Sequence, residues 1–211
     1  MNDVAAIILA AGRSSRMGAF KPLLPFGPKT VIQTCIDNLR RGGIEVIVVV
    51  VADGSDAADL RAHLKDSNVI FAVNPAPQSE MSASVACGVL AAPMTTKAVV
   101  IIPADHPAIP GEVVRSLIDE WKKGARLVKP TTGGRGGHPV LVDLSFRAEL
   151  LRLDPDRGLK ALFTDHEAQV VRLEVNSNFI ARDLDTWDDY RALHQEVFGV
   201  SPPEIPECKQ D

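Results

Sequence analysis

Residues 4–21 read VAAIILAAGRSSRMGAFK, an apolar hexad followed by a basic loop that carries glycine. Val4, Ile7, Ile8 and Leu9 lie in a run with no polar alternation. Such a run suits a central parallel strand covered on both faces, where alternation would bury polar side chains. Gly12 then frees the backbone to turn, and Gly12 and Gly18 let main-chain N–H groups come close to an anion. Arg13, Arg16 and Lys21 set positive charge around it. This makes a candidate phosphate-holding loop, although glycine turns and solubilising basic residues would also serve a plain strand-turn-helix junction. It is not a Walker A loop, because the G-K-[ST] end is missing, and its glycines stand six apart rather than in G-x-G-x-x-G.

Outward from the loop, the chain alternates helix and strand signals. A Pro-rich connection over 22–28 leads to an amphipathic helix over 30–41, with Val31, Ile32, Cys35, Ile36 and Leu39 on its apolar face. Residues 44–52 read as a buried strand, 56–65 as a helix and 69–73 as a strand. Asn74-Pro75-Ala76-Pro77 blocks helix, so the next helix is expected to be short, over 85–91. A strand over 98–102 ends in Pro103-Ala104-Asp105-His106-Pro107 and is followed by a helix over 111–123. Four βα units in a row predict an α/β fold with a doubly wound, mostly parallel sheet. Right-handed crossovers then bring the loops at 10–21, at Asp53, at 74–84 and at Asp105 to one sheet edge, the expected ligand site.

The second half is less regular. Short strands are expected over 127–129 and 139–142 around a Gly-rich segment, short helices over 145–153 and 158–164, and a strand over 169–175. A final helix over 186–198 has Thr186 as N-cap and Asp189 three residues on. The expected organisation is one domain over 1–198 and a mobile tail over 199–211, which is rich in proline and poor in apolar residues. A net charge of −4 argues against a nucleic-acid binder, so any basic site must be local. Cys35, Cys87 and Cys208 are odd in number and lack C-x-x-C spacing, which suits free thiols in a reducing cytoplasm. No run reaches membrane-spanning length, and acidic Asp3 stands where a signal peptide would be basic. A cytoplasmic protein without membrane contact is expected.

Asp105 is the first candidate for a metal ligand, since a carboxylate just past a buried strand has no hydrophobic reason to be there. It could equally cap the next helix. Asp183 and Asp185, at i and i+2, project to the same side of an extended segment, and crowded carboxylates repel unless a cation lies between them. The spacing does not choose between the two. Ser82 and Ser84 could serve as a plain helix N-cap or as polar contacts to a ligand. There is no G-x-S-x-G elbow, and His63, His106, His138, His166 and His194 form no zinc pattern. His63 and His194 are expected on helix surfaces.

The run L-A-A-G-R-S-S-R-M-G-x-x-K resembles the signature loop of nucleotidyltransferases that activate sugars, isoprenoid precursors and molybdopterin. Further segments follow in family order. Met81-Ser82-Ala83-Ser84 resembles M-S-x-S, the Asp105 turn resembles D-x-P, and Gly136-Gly137-His138-Pro139 resembles the end of G-x-x-G-H-P. Residues 156–160 resemble D-x-G-x-R with Lys160 for Arg, and DLDTWDDY is similar to D-x-D-T-P-E-D. The chain thus resembles the molybdenum cofactor cytidylyltransferase-like family, which implies a single-domain, Rossmann-like nucleotidyltransferase fold. The resemblance implies that Leu9, Ala10, Ala11, Gly12, Arg13, Lys21, Ser82 and Ser84 hold a nucleoside triphosphate. It implies that Asp105, with Asp183 or Asp185, holds Mg²⁺, and that Gly137, His138 and Lys160 line the acceptor side. Catalysis would fall to Arg13, Arg16, Lys21 and Asp105.

The implied reaction moves CMP from CTP to the phosphate of molybdopterin and expels pyrophosphate, with a molybdoenzyme or maturation protein as the partner that receives the product. Ala11 carries the choice of CTP, since the related guanylyltransferases generally have L-A-G-G. A guanylyltransferase, or a nucleotidyltransferase for a sugar phosphate or another small phosphorylated acceptor, is the alternative, and a non-enzymatic nucleotide-binding regulator a third. The three carboxylates speak against the last. The chain departs from the family pattern at Glu80, where Gly is usual, at Trp187-Asp188, where Pro-Glu is usual, and at Lys160, which keeps charge but loses Arg's bidentate fork.

Overall fold

Val4, Ala6, Ile8 and Ala10 enter one apolar cluster while Ala5, Ile7 and Leu9 enter another on the opposite side of the sheet. This is the physical reason for the unbroken apolar run: the first strand, β1 (Val4–Leu9), has no solvent face. The computed structural model describes residues 3–12, 17–75 and 81–203. Arg13, Arg16, Glu80 and most of the proposed tail lie outside the described residues.

In chain order, β1 is followed by a small hairpin of β2 (Pro25–Phe26) and β3 (Lys29–Thr30), then α1 (Val31–Arg41), β4 (Val46–Ala52), α2 (Ser55–His63) and β5 (Ile70–Asn74). Next come α3 (Met81–Ala91), β6 (Ala98–Pro103), α4 (Gly111–Lys122), β7 (Leu127–Thr132), β8 (Arg135–Gly136) and β9 (Val140–Asp143). The chain continues through α5 (Arg147–Leu150), α6 (Gly158–Asp165), β10 (Val170–Glu174) and α7 (Trp187–Phe198). The main sheet runs β10-β7-β9-β6-β1-β4-β5, with β8 paired to the end of β7. Pairing is parallel except around β9, which runs antiparallel between β6 and β7, and at the short β8, which is antiparallel to β7. The mostly parallel α/β sheet expected from the four βα units is therefore present, with β9 and the short β8 reversed.

Two helix starts follow from side-chain chemistry that the sequence displays. Thr30 caps α1 and Thr186 caps α7, each in a reciprocal box with the residue three positions on, Gln33 and Asp189. Helix α3 departs from expectation. It begins at Met81, so Ser82 and Ser84 lie inside it and neither is the plain N-cap of a helix starting at residue 85. His194 also departs. It is buried, accepts from Gly27 N–H at 3.2 Å and packs edge-on against Phe26, because α7 folds back onto the β2–β3 hairpin. His63 stays exposed on α2. No helix among the described residues is long and apolar enough to cross a membrane.

Candidate active site

The loop after β1 is tied down at its root to both neighbouring strands. Ala10 N–H donates to Val50 O (2.8 Å), and Leu9 O accepts from Ala104 N–H (3.0 Å). Beyond that root, Leu9, Ala10, Ala11 and Gly12 form one wall of a cavity of about 290 Å³, with Lys21, Ser84, Asp105 and Asp185 among the residues on the others. The chain bends at Gly12 without a positive φ, and a Cβ there would meet open space, whereas Gly18 takes the left-handed conformation (φ 61°).

Lys21 opens a 3-10 turn that Pro22 and the Leu24 N–H to Lys21 O bond (3.1 Å) hold in shape. Its side chain is only 13% exposed, and its ammonium lies 3.1 Å from Asp185 Oδ1 and 3.7 Å from Asp105 Oδ2. Two carboxylates from distant parts of the chain thus share one cation.

Asp105 stands two residues past the end of β6, where the strand meets the sheet edge. The buried His106 donates Nδ1–H to Asp105 Oδ1 at 2.8 Å, since an ionised carboxylate can only accept. That bond engages one oxygen and leaves Oδ2 toward Lys21. Burial pushes the Asp105 carboxyl up, but the His106 bond, the His106 charge and the Lys21 charge outweigh it and hold the group below its ordinary value.

Asp185 reaches this point because the segment before α7 is anchored behind the β1 loop. Leu184 is buried with Met17, Leu24, Phe26 and Tyr190 in a third apolar cluster. Trp187 Nε1–H donates to Met17 O (3.1 Å) and Tyr190 O–H to Pro25 O (2.6 Å). With Leu184 turned inward, Asp183 and Asp185 both face outward but reach different cavities: Asp185 the smaller one, Asp183 a second of about 920 Å³.

The larger cavity adjoins the first and shares Met81, Pro103 and Asp105 with it. Gly137, His138 and Lys160 line it, so the three proposed acceptor residues converge. Gly137 is there for close approach: a Cβ at that position would lie 2.1 Å from Ile180 O, which accepts from His138 N–H at 2.8 Å. The His138 ring packs edge-on against His106, with centroids 5.1 Å apart, and its Nδ1 is buried without a hydrogen-bond partner. Burial, with the nearby charge of His106, lowers the His138 pKa to about 4, so the ring is neutral near pH 7.

Three residues went unnoticed in the sequence. Asn74, buried at the end of β5, donates from Nδ2 to Ser84 Oγ at 3.0 Å and holds that hydroxyl on the cavity wall. Its only signal was a polar residue before proline at a strand end. Ser82, by contrast, is buried in α3 and lines neither cavity. His106, the unspecified middle position of the D-x-P turn, and Lys129, which carries no motif, are the other two.

Among the described residues no three His, Cys, Asp or Glu side chains cluster as a metal site. Two carboxylates suit a cation that arrives with phosphates, because magnesium usually takes one or two protein carboxylates and completes its shell with phosphate oxygens and water. The donor set of Asp105 and Asp185 fits that pattern.

Known proteins share this fold. Rv0371c from Mycobacterium tuberculosis H37Rv superposes with a TM-score of 0.81 at 27% identity, covering 92% of this chain and 98% of that one. A structure of the same protein in complex with manganese gives 0.75 at 25% identity, covering 92% and 98%. The molybdenum cofactor cytidylyltransferase of Escherichia coli (strain K12) is 28% identical over 192 residues, 90% of this chain and 95% of its own length. The nicotine blue oxidoreductase of Paenarthrobacter nicotinovorans is 26% identical over 200 residues, 90% and 96%. A family model described as the MobA-like NTP transferase domain matches residues 6–170, and the chain belongs to that nucleotidyltransferase family.

Proposed function

We propose that the protein transfers CMP from CTP to the phosphate of a molybdopterin-type cofactor and releases pyrophosphate. The observation that carries this reading is the Lys21 ammonium between the Asp105 and Asp185 carboxylates, at the junction of two adjoining cavities. A triphosphate under the β1 loop and a phosphorylated acceptor beside His138 meet at Asp105. An acceptor phosphate oxygen attacks the α-phosphorus in line, the bond from the α-phosphorus to the bridging oxygen breaks, and pyrophosphate leaves with the electron pair. No covalent enzyme intermediate is needed.

Leu9, Ala10, Ala11, Gly12 and Ser84 hold the nucleotide. Lys21, with Arg13, Arg16 and the loop amides, meets the charge that grows on the leaving pyrophosphate. Asp105 and Asp185 hold Mg²⁺, which when bound supplies charge neutralisation across the phosphates. Asp183, Gly137, His138 and Lys160 face the acceptor. Ala11 lines the smaller cavity, and alanine in place of the glycine usual in guanylyltransferases would leave less room beside a base, which favours the smaller pyrimidine; the similarity to a cytidylyltransferase supports the same choice.

Calorimetric titration of CTP, GTP, ATP and UTP, each with and without Mg²⁺, tests the reading. The expected result is Mg²⁺-dependent binding that is tightest for CTP and is lost in Asp105→Asn. Tighter binding of GTP would overturn the cytidylyl assignment and keep the class.

A further inference from the structure

We infer that the larger cavity contains an anion subsite in which the Lys129 ammonium grips a negatively charged group of the acceptor. This rests on the reading that the acceptor occupies that cavity.

Lys129 is half-buried on β7, lines the cavity, and makes no hydrogen bond or ion pair with any of the described residues. Partial withdrawal of an ammonium from water without a partner is unfavourable, so such a group favours a counter-charge. Its neighbour worsens the problem. Arg172 occupies the same register on the parallel strand β10 and lines the same cavity, so two cations stand side by side on one face of the sheet. Like charges at facing positions destabilise a sheet. Arg172 is relieved by its ion pair with Glu167, whereas Lys129 is not. Asp105 is engaged by His106 and Lys21, and neither Asp156 nor Asp183 pairs with Lys129.

The position of the lysine is built in by its neighbour across the hairpin. A Cβ on Gly136 would lie 2.3 Å from Lys129 Cε and 2.8 Å from Nζ. Gly136 has no positive φ, so what the glycine supplies there is room for the end of the Lys129 side chain and not a turn. The buried, partnerless Nδ1 of His138 and the side chain of Lys160 belong to the same cavity. A phosphate or another acid group of the acceptor that enters this cavity would give Lys129 its counter-charge.

The test follows the imidazole signals of His138 by nitrogen-edited NMR during a titration with inorganic phosphate, with neither nucleotide nor acceptor present. The wild type should respond. Lys129→Met should raise the midpoint by at least about tenfold, the usual scale of one charge-assisted bond to phosphate. Gly136→Ala should also weaken the response, because it displaces only the far end of a flexible side chain and keeps its charge. Lys122→Met, an exposed surface lysine, should titrate like the wild type. No response in the wild type, or equal midpoints in wild type and Lys129→Met, would overturn the subsite.

Two sources of the anion are then separated by steady-state transfer assays. Lower kcat at saturating acceptor in Lys129→Met assigns the subsite to the attacking phosphate. A raised acceptor KM with unchanged kcat assigns it to a second acid group. Because the phosphate titration needs no nucleotide, a protein that binds phosphate at Lys129 but no triphosphate would keep the subsite and sink the transferase reading.

Discussion

Replacing Lys21 with methionine isolates the charge at the centre of the site. Methionine fills the volume of the lysine stem, which is largely buried, so the packing beneath the β1 loop should survive while the ammonium is removed. At separations of 3.1 and 3.7 Å, each pairing with a carboxylate is worth about 4–5 kcal/mol at an effective dielectric of about 20. Much of this is lost in practice, since the Asp185 carboxylate is 42% exposed and water screens it. The Asp185 pairing therefore contributes little to the ground state, on the order of 1 kcal/mol, while the more buried Asp105 pairing contributes to stability as well. The transition state loses more, because negative charge builds on the leaving pyrophosphate where a preorganised cation would meet it. Removing one such partner should lower kcat by about 10²–10³, or about 3–4 kcal/mol. Pyrophosphate release at saturating CTP and acceptor reports kcat, and urea unfolding of the same sample controls for stability. A kcat within about threefold of wild type, with the fold intact, would refute the role assigned to Lys21.

Asp185→Asn should abolish measurable transfer, whereas Asp183→Asn should chiefly raise the acceptor KM; equal losses of kcat in both would contradict the assignment of the two carboxylates to different cavities. Gly137→Ala places a methyl 2.1 Å from the Ile180 carbonyl oxygen, a backbone atom that cannot swing aside, so urea unfolding should show a loss of about 1–3 kcal/mol or more. An unchanged midpoint would rule out the close approach. His138 is held neutral down to about pH 4, whereas its unfolded value is 6.5, so between those values the unfolded chain binds the extra proton. Its contribution to stability is complete above pH 6.5 and is lost as pH falls toward 4, by up to about 3 kcal/mol; urea midpoints at successive pH values should fall more steeply for wild type than for His138→Gln.

The first half of the fold was legible because its signals are local. An apolar run without alternation means a strand covered on both sides, and Val4 to Ala10 divide alternately between two clusters as that requires. The capping pairs Thr30–Gln33 and Thr186–Asp189 act over three residues, so a short window suffices to see the second of them. Ser84 was legible as a polar contact but not as an interior helix residue, because its partner Asn74 reaches it across a segment whose prolines read as helix-blocking. His194 was misjudged for a related reason. A histidine on a helix with charged neighbours looks solvated until the hairpin at Gly27, 167 residues away, supplies a donor for it.

Motifs name Lys21, Asp183 and Asp185, but which of the two carboxylates meets Lys21 depends on pairing across the chain. Lys21 and Asp185 are 164 residues apart, and what joins them is neither residue's own chemistry but the packing of Leu184, Tyr190 and Leu193 against Met17, Leu24 and Phe26. Each of those side chains reads, in sequence, as one more apolar residue. The same holds for the larger cavity. Reversal of β9 between β6 and β7 carries the 133–139 hairpin across the sheet edge, and only then does Lys129 meet Gly136 and His138 meet His106. Local sequence therefore announces the nucleotide side, which consecutive βα loops build. Motifs name Gly137, His138, Lys160 and the two carboxylates of the proposed site, but which cavity each reaches is settled only when the second half of the chain docks, by packing that no motif encodes.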